Sequence, residues 1–103
     1  MCPRSQMMQI LRDANAYCVA RNARLPTISQ LQSLRANKAP GNSEMCTKYG
    51  WPLFGQCGGS RSLYWASDSN IDDGSRDYWL VGMDTGDYYR DNLNAFAYVA
   101  CVR

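Results

Sequence analysis

Residues 14–34 of this chain, ANAYCVARNARLPTISQLQSL, decide its fold, because they contain the end of one helix and the start of a second. Apolar residues that lead into this stretch recur at i, i+4, i+7 and i+11, which is the spacing of one face of an amphipathic helix. These residues are Met7, Leu11, Ala14 and Cys18, with Ile10 and Tyr17 alongside. We expect this face to pack against a sheet.

The second helix is marked by Thr27 and Gln30, which have the spacing of a capping box. Apolar residues then continue at helical spacing: Ile28, Leu31 and Leu34. The sequence KAPG at residues 38–41 ends the helix. The sequence therefore predicts two helices ahead of all the strands.

Three later stretches are rich in aromatic and β-branched residues and predict strands: residues 63–67, 78–83 and 96–102. Tyr88 and Tyr89 add a short strand. Between helices and strands, residues 41–62 are rich in glycine and predict a long loop, with Trp51, Leu53 and Phe54 as its local anchors. Helices followed by strands are typical of an α+β fold with an antiparallel sheet.

Length and charge limit the classes of function. A chain of 103 residues predicts a single domain, residues 1–103, with a core of modest size. Its 11 basic and 9 acidic residues give a net charge of +2, too weak and too dispersed for a nucleic-acid partner or an acidic membrane surface. No apolar run approaches the roughly 18 residues of a membrane span, and the start lacks a signal peptide pattern. We expect a domain excised from a longer protein that carries its targeting signals elsewhere.

Five cysteines and no histidine characterise the chain. The cysteine spacings match no CxxC zinc pattern, so disulfides in an oxidising compartment are favoured over free thiols. Cys18 lies on the apolar face of the first helix and Cys101 in the last predicted strand, and we expect them to form the main disulfide. Cys46 and Cys57 are expected to close the loop between helices and strands. Cys2 is then free, or paired outside this chain.

Two short motifs resemble a calcium-binding loop and a protease active site, but the rest of the sequence supports neither activity. Asp68, Asn70 and Asp72 in SDSNIDDGSRD, residues 67–77, fit the first oxygen positions of an EF-hand calcium loop. The motif fails at position 6, which is Asp73 instead of glycine, and at position 12, which is Trp79 instead of glutamate. A hydrophilic connection between strands is the better interpretation.

The second motif is Asp84-Thr85-Gly86, the active-site triplet of aspartic proteases. No later apolar-apolar-Gly-Arg segment follows it, and two N-terminal helices do not belong to that class of enzyme. A turn between strands explains Thr85 and Gly86 more simply. The absence of histidine also removes the usual partner of a serine or cysteine nucleophile, so the sequence predicts neither an enzyme nor a cofactor.

A set of segments resembles a known family: ANAYCVARNARLPTISQLQSL, TKYGWP, LYWAS, YWLVGMDTG and the final YVACVR. From about Ala14 to Arg103 the chain is similar to the C-type-lectin-like domain of invasin and intimin relatives, the inverse autotransporter adhesins of Gram-negative bacteria. Related segments also occur in another bacterial family of lectin-like modules on secreted and surface proteins.

The resemblance implies a C-type-lectin-like fold of two helices on antiparallel β-sheets, held by disulfides. It also implies an extracellular position on the bacterial outer membrane, at the distal tip of a stalk of Ig-like domains. Cys18 and Cys101 match the helix-to-strand disulfide of the family. The Glu-Pro-Asn, Gln-Pro-Asp and Trp-Asn-Asp triplets of calcium-dependent lectins do not occur in the sequence. We therefore expect no metal or other cofactor.

The leading hypothesis is an adhesin tip, a virulence factor that binds a host protein receptor through side chains and without calcium. The alternatives are a glycan-binding module and a structural cap of the stalk without a ligand of its own. From the weak charge we expect no nucleic-acid partner, and we expect no insertion of this domain into a membrane.

The expected binding surface is the segment DTGDYYRDNLN, residues 84–94, because tyrosine and arginine concentrate binding energy at interfaces. The candidates are Asp87, Tyr88, Tyr89, Arg90 and Asp91, with Trp51 as a neighbour or, more simply, a loop anchor. Alternation along a strand predicts that one of the two tyrosines points into the core. We expect the other tyrosine, with Arg90 and one of the two aspartates, to face the partner.

Overall fold

A computed structural model describes residues 8, 10–68, 77–92 and 95–103. Within them the helices are α1 (Leu11–Val19), α2 (Ile28–Lys38) and α3 (Glu44–Tyr49), and the strands are β1 (Leu63–Trp65), β2 (Asp77–Gly82) and β3 (Tyr88–Asn92). The strands form an antiparallel sheet in the order β1-β2-β3. The α+β prediction is confirmed.

The start of α2 confirms the predicted capping box. The Thr27 hydroxyl accepts a hydrogen bond from the Gln30 backbone N–H at 3.1 Å, and the Gln30 side-chain oxygen accepts one from the Thr27 N–H at 2.9 Å. A carboxylate oxygen of Asp68 accepts a further bond from the Ile28 N–H at 2.6 Å. Three otherwise unpaired N–H groups at this end of the helix are thereby satisfied.

Residues 41–62 are not simply a loop, since they contain α3. Glu44, the first residue of α3, accepts a hydrogen bond from the Gly41 N–H at 2.7 Å and pairs with Lys48, one turn later, at 2.5 Å. The hydrogen bond with Lys48 and that from Gly41 hold the pKa of Glu44 below its usual value. Gly50 ends the helix with φ of 72°, a left-handed conformation that glycine adopts without strain. The stretch that was predicted to be a loop from its glycine content therefore contains a helix. An i,i+4 ion pair stabilises this helix and a glycine ends it.

Two of the three anchors expected in residues 41–62 are in the core, and the third is not. Trp51 and Leu53 are buried, whereas 73% of Phe54 is exposed. Leu53 pairs with Gln56 in a tight antiparallel bridge, which places Phe54 at the tip of the turn between them. The expectation that Phe54 is an anchor is wrong for this reason.

The last predicted strand, residues 96–102, is divided between two partners. Tyr98 forms a parallel bridge with Tyr64 of β1, and Val102 forms an antiparallel bridge with Arg24. A stretch that changes partner after three residues forms isolated bridges instead of a regular strand. By contrast, the short strand expected at Tyr88 and Tyr89 extends to Asn92.

The sheet separates two groups of buried side chains, because successive residues of a strand point to opposite faces. One face carries Tyr64 and Val81, which pack with Leu31 of α2. We call it the α2 side. The other face carries Trp65 and Leu80 and packs with the apolar face of α1: Ala14 and Cys18, with Leu11 and Tyr17 partly buried. This second face is the α1 side. The expectation that the first helix packs on a sheet is confirmed.

Two disulfides hold these layers together. Cys18 of α1 is bonded to Cys101, and both are fully buried on the α1 side. Cys46 of α3 is bonded to Cys57, which is exposed and has a positive φ of 52°. These are the two pairs that the sequence predicted, and Cys2 lies outside the described residues.

Candidate binding surface

The segment expected to bind begins with the turn between β2 and β3. The Gly86 N–H donates to the Gly82 carbonyl at 2.7 Å, and the Gly82 N–H donates to the Asp87 carbonyl at 2.8 Å. Gly86 has φ of 85°, and the Asp84 carboxylate accepts from the Thr85 N–H at 2.8 Å. Asp84, Thr85 and Gly86 therefore form the turn that the sequence favoured over a protease motif, and Asp84 stabilises it.

Two side chains of α2 hold this turn from the neighbouring layer. The Arg35 Nε donates to the Asp84 carbonyl at 2.9 Å, and the Gln32 Nε2 donates to the Gly86 carbonyl at 2.9 Å. The Arg35 Nη2 also donates to the Pro40 carbonyl at 2.8 Å. Sequence reasoning missed both residues, because no local pattern connects α2 with backbone carbonyls about fifty positions later.

Strand β3 is at the edge of the described sheet and lies beyond both groups of buried side chains. Its register with β2 places Tyr88 and Arg90 on the α2 side and Tyr89 and Asp91 on the α1 side. Tyr88 is 57% exposed and Tyr89 is 44% exposed. The expectation that one tyrosine points into the core is wrong, because alternation sends them to opposite faces and neither core extends as far as β3.

On the α2 side, three side chains form what we call the aromatic cluster: Trp79, Tyr88 and Arg90. The rings of Trp79 and Tyr88 meet edge to face with centroids 5.4 Å apart. The Arg90 guanidinium carbon lies 5.4 Å from the centre of the Trp79 ring, within the range of a cation–π contact. Trp79 is partly buried against the α2-side core, and the sequence assigned it only to a strand. Trp79 lies two residues before Val81 in the same strand, so the two side chains point to the same face of the sheet. This spacing was the signal that could have identified Trp79 as a neighbour of β3.

The acidic candidates have partners within the described structure. Asp87 is exposed, and its carboxylate accepts a hydrogen bond from the Thr85 hydroxyl at 3.2 Å. Asp91 lies 3.9 Å from the Arg61 Nη2, and Arg61 also donates to the Phe96 carbonyl at 2.7 Å. The two aspartates thus help to position β3 and its turn.

Trp51 does not lie on this surface. It is 8% exposed, and its ring packs against that of Tyr64 with centroids 5.1 Å apart. The interpretation of Trp51 as a loop anchor is confirmed. The expectation that it neighbours the binding segment is wrong, because its ring is inside the core.

The acidic stretch at residues 67–77 lies mostly outside the described residues. Asp68 is described, and its carboxylate binds the start of α2. A cleft of about 370 Å3 opens beside it, lined by Leu11, Arg12, Asn15 and Tyr78 among others. The described residues contain no group of three or more His, Cys, Asp or Glu side chains that could hold a metal ion. None of the described helices is both long and apolar enough to cross a membrane.

Comparison with known proteins gives one match. The family model InvE_AD, described as an adhesion domain, matches residues 4–102. This match is consistent with the invasin and intimin resemblance of the sequence. No curated protein matches the chain, and no solved structure matches it.

Proposed function

The chain belongs to the InvE_AD adhesion-domain family, and from this premise we propose that it is the receptor-binding tip of a bacterial outer-membrane adhesin. The partner is a host protein, bound without calcium by side chains of β3 and its neighbour Trp79. The match describes adhesion and no reaction, which supports a binding role over an enzymatic one. Extracellular display on a stalk of Ig-like domains is part of the same proposal.

We also propose that the fold is C-type-lectin-like. In support, α1 and α2 precede the strands and pack on opposite faces of an antiparallel sheet. The Cys18–Cys101 disulfide ties the first helix to the last segment of the chain, as the resemblance implies. A pair of helices and one long-range disulfide around a small sheet are the shared features of such domains.

The aromatic cluster is the observation that carries the binding proposal. Tryptophan, tyrosine and arginine are the residue types that most often dominate the energy of protein interfaces. Here Trp79 of β2 is in contact with both Tyr88 and Arg90 of β3, and Tyr88 is more than half exposed. The Trp79 ring is already fixed by the core and by its two neighbours, so little side-chain freedom would be lost on binding.

The test is binding of the labelled domain to cultured host epithelial cells. Tyr88→Ala and Arg90→Ala should each weaken binding by more than about 1 kcal/mol, or about fivefold, with unchanged melting temperature. Phe54→Ala is the matched control, because Phe54 is also an exposed aromatic residue and lies on a turn away from β3. Unchanged binding by both β3 variants would refute this surface.

The same assay separates the alternatives from other classes. Enzymatic removal of cell-surface glycans should leave binding unchanged if the partner is recognised as a protein. Loss of binding after that treatment would favour a glycan-binding module. A domain that binds no cell and captures no surface protein would fit a structural cap.

A further inference from the structure

We propose that Gln32 and Arg35 of α2 are positioning residues, which set the orientation of β3 towards the receptor without touching the receptor themselves. This inference rests on the proposed function, because it concerns how the same surface is presented. It adds two residues of a different element, which lie outside the expected binding segment at residues 84–94.

Strand β3 is supported by β2, by the turn that precedes it and by contacts of its side chains with Trp79 and Arg61. It pairs only with β2 among the described strands, and its exposed tyrosines lie beyond both cores. The contacts with Trp79 and Arg61 hold individual side chains, whereas the turn fixes the backbone at the start of the strand. The turn at residues 84–86 is therefore a point from which the direction of β3 can be controlled.

Helix α2 holds this turn by the backbone of the turn. Hydrogen bonds of 2.9 Å run from the Arg35 Nε to the Asp84 carbonyl and from the Gln32 Nε2 to the Gly86 carbonyl. Gln32 and Arg35 are three residues apart, so they lie on the same face of the helix. Two bonds from one helix face to the two ends of a three-residue turn restrict rotation of the turn as well as its distance from the helix.

Arg35 is itself fixed at a second point. Its Nη2 donates to the Pro40 carbonyl at 2.8 Å and lies 3.5 Å from the Asn42 side-chain oxygen. The planar guanidinium offers five donors in a rigid arrangement, so one side chain can bind both places simultaneously. Glycine at position 86 leaves room for the Arg35 side chain, because a Cβ there would lie only 3.2 Å from the Arg35 Nη1.

The test combines a structural measurement with a binding measurement. Arg35→Gln and Arg35→Lys each remove the two-point contact, and lysine keeps the positive charge. We expect both to shift the backbone amide NMR signals of Tyr88, Tyr89 and Arg90, and both to weaken binding to host epithelial cells about fivefold, the scale of one lost hydrogen bond. Lys38→Gln, a change of an exposed cation on the same helix, is the control and should do neither.

A double-mutant cycle distinguishes positioning from a general loss of stability. In a background with both Tyr88→Ala and Arg90→Ala, Arg35→Gln should weaken binding by less than about twofold, since the two main side chains that it orients are gone. An equal loss in both backgrounds would overturn the inference, as would Arg35→Lys binding like the parent, which would indicate a direct charge contact.

The two proposals fail in different ways. If Tyr88→Ala weakens binding and neither Arg35→Gln nor Gln32→Ala does, the surface stands and the positioning role is refuted. If Tyr88→Ala and Arg90→Ala both bind like the parent, the proposed surface fails and the positioning role fails with it.

Discussion

The two disulfides close loops of very different length, so their removal should destabilise the domain unequally. Cys18 and Cys101 are separated by 83 positions, and Cys46 and Cys57 by 11. In the chain-entropy model these separations correspond to about 4.6 and about 2.8 kcal/mol of stabilisation. The long-range bond should therefore contribute about 1.8 kcal/mol more than the short one.

Burial increases this difference. Cys18 and Cys101 are fully buried on the α1 side, so replacing both by alanine leaves unfilled space that costs a further 1 kcal/mol or so, at about 24 cal/mol per Å3. Cys57 is exposed and leaves no such cavity. The expected losses are about 5 to 6 kcal/mol for Cys18→Ala with Cys101→Ala and about 3 kcal/mol for Cys46→Ala with Cys57→Ala.

Urea unfolding followed by tryptophan fluorescence measures both losses. Natural domains are stable by about 5 to 15 kcal/mol, so the first double variant should be unfolded or close to unfolding at 25 °C while the second remains folded. The reasoning is refuted if the short-range variant is destabilised as much as the long-range one, or if the long-range variant loses less than about 2 kcal/mol.

Three further predictions concern local features. Thr27→Ala removes one half of the capping box and should lower the free energy of unfolding by about 1 kcal/mol in urea titration, whereas Thr27→Ser should restore it. Gly59→Ala should destabilise by more than about 2 kcal/mol in the same titration, because the added Cβ would overlap the backbone of Leu53. The pKa of Glu44 is lowered by Lys48 and the Gly41 N–H, so its contribution to α3 is present above the usual value of 4.5 and lost as pH falls through the lowered pKa. Protection of the α3 amides against hydrogen exchange, relative to their intrinsic rates at each pH, should fall over that acidic range, and Glu44→Gln should remove this fall.

The helices could be predicted from the sequence to the extent that their signals are local. The capping box of Thr27 and Gln30 needs only residues three apart, and the structure contains it as predicted. The short helix α3 was missed although its Glu44–Lys48 pair is equally local, because glycine and proline nearby were given more weight. Composition of a long stretch is a weaker guide than the spacing of particular pairs inside it.

The arrangement of the sheet and the exposure of the binding surface depend on contacts between residues far apart in the chain. The sequence was less informative about these contacts. Residues 96–102 have the composition of a strand, but which partners they meet is decided by β1 and by Arg24, far away in the sequence. Alternation correctly places Tyr88 and Tyr89 on opposite faces, yet burial depends on whether a core lies there. Only the order β1-β2-β3 places β3 at the edge of the sheet that the described residues form, where both tyrosines remain exposed.

The position of β3 has a consequence for how such a domain can acquire a new partner. Exposed side chains away from caps and cores usually change stability by less than about 0.5 kcal/mol when they are replaced, so Tyr88 and Tyr89 can vary at little cost to the fold. The contacts from α2 reach the backbone carbonyls of Asp84 and Gly86, and no side chain of β3 takes part in them. The proposed control of the strand by α2 therefore acts on the backbone and uses neither tyrosine side chain. A domain built in this way can change what it recognises by substitution along β3 while α2 continues to present the strand in the same direction.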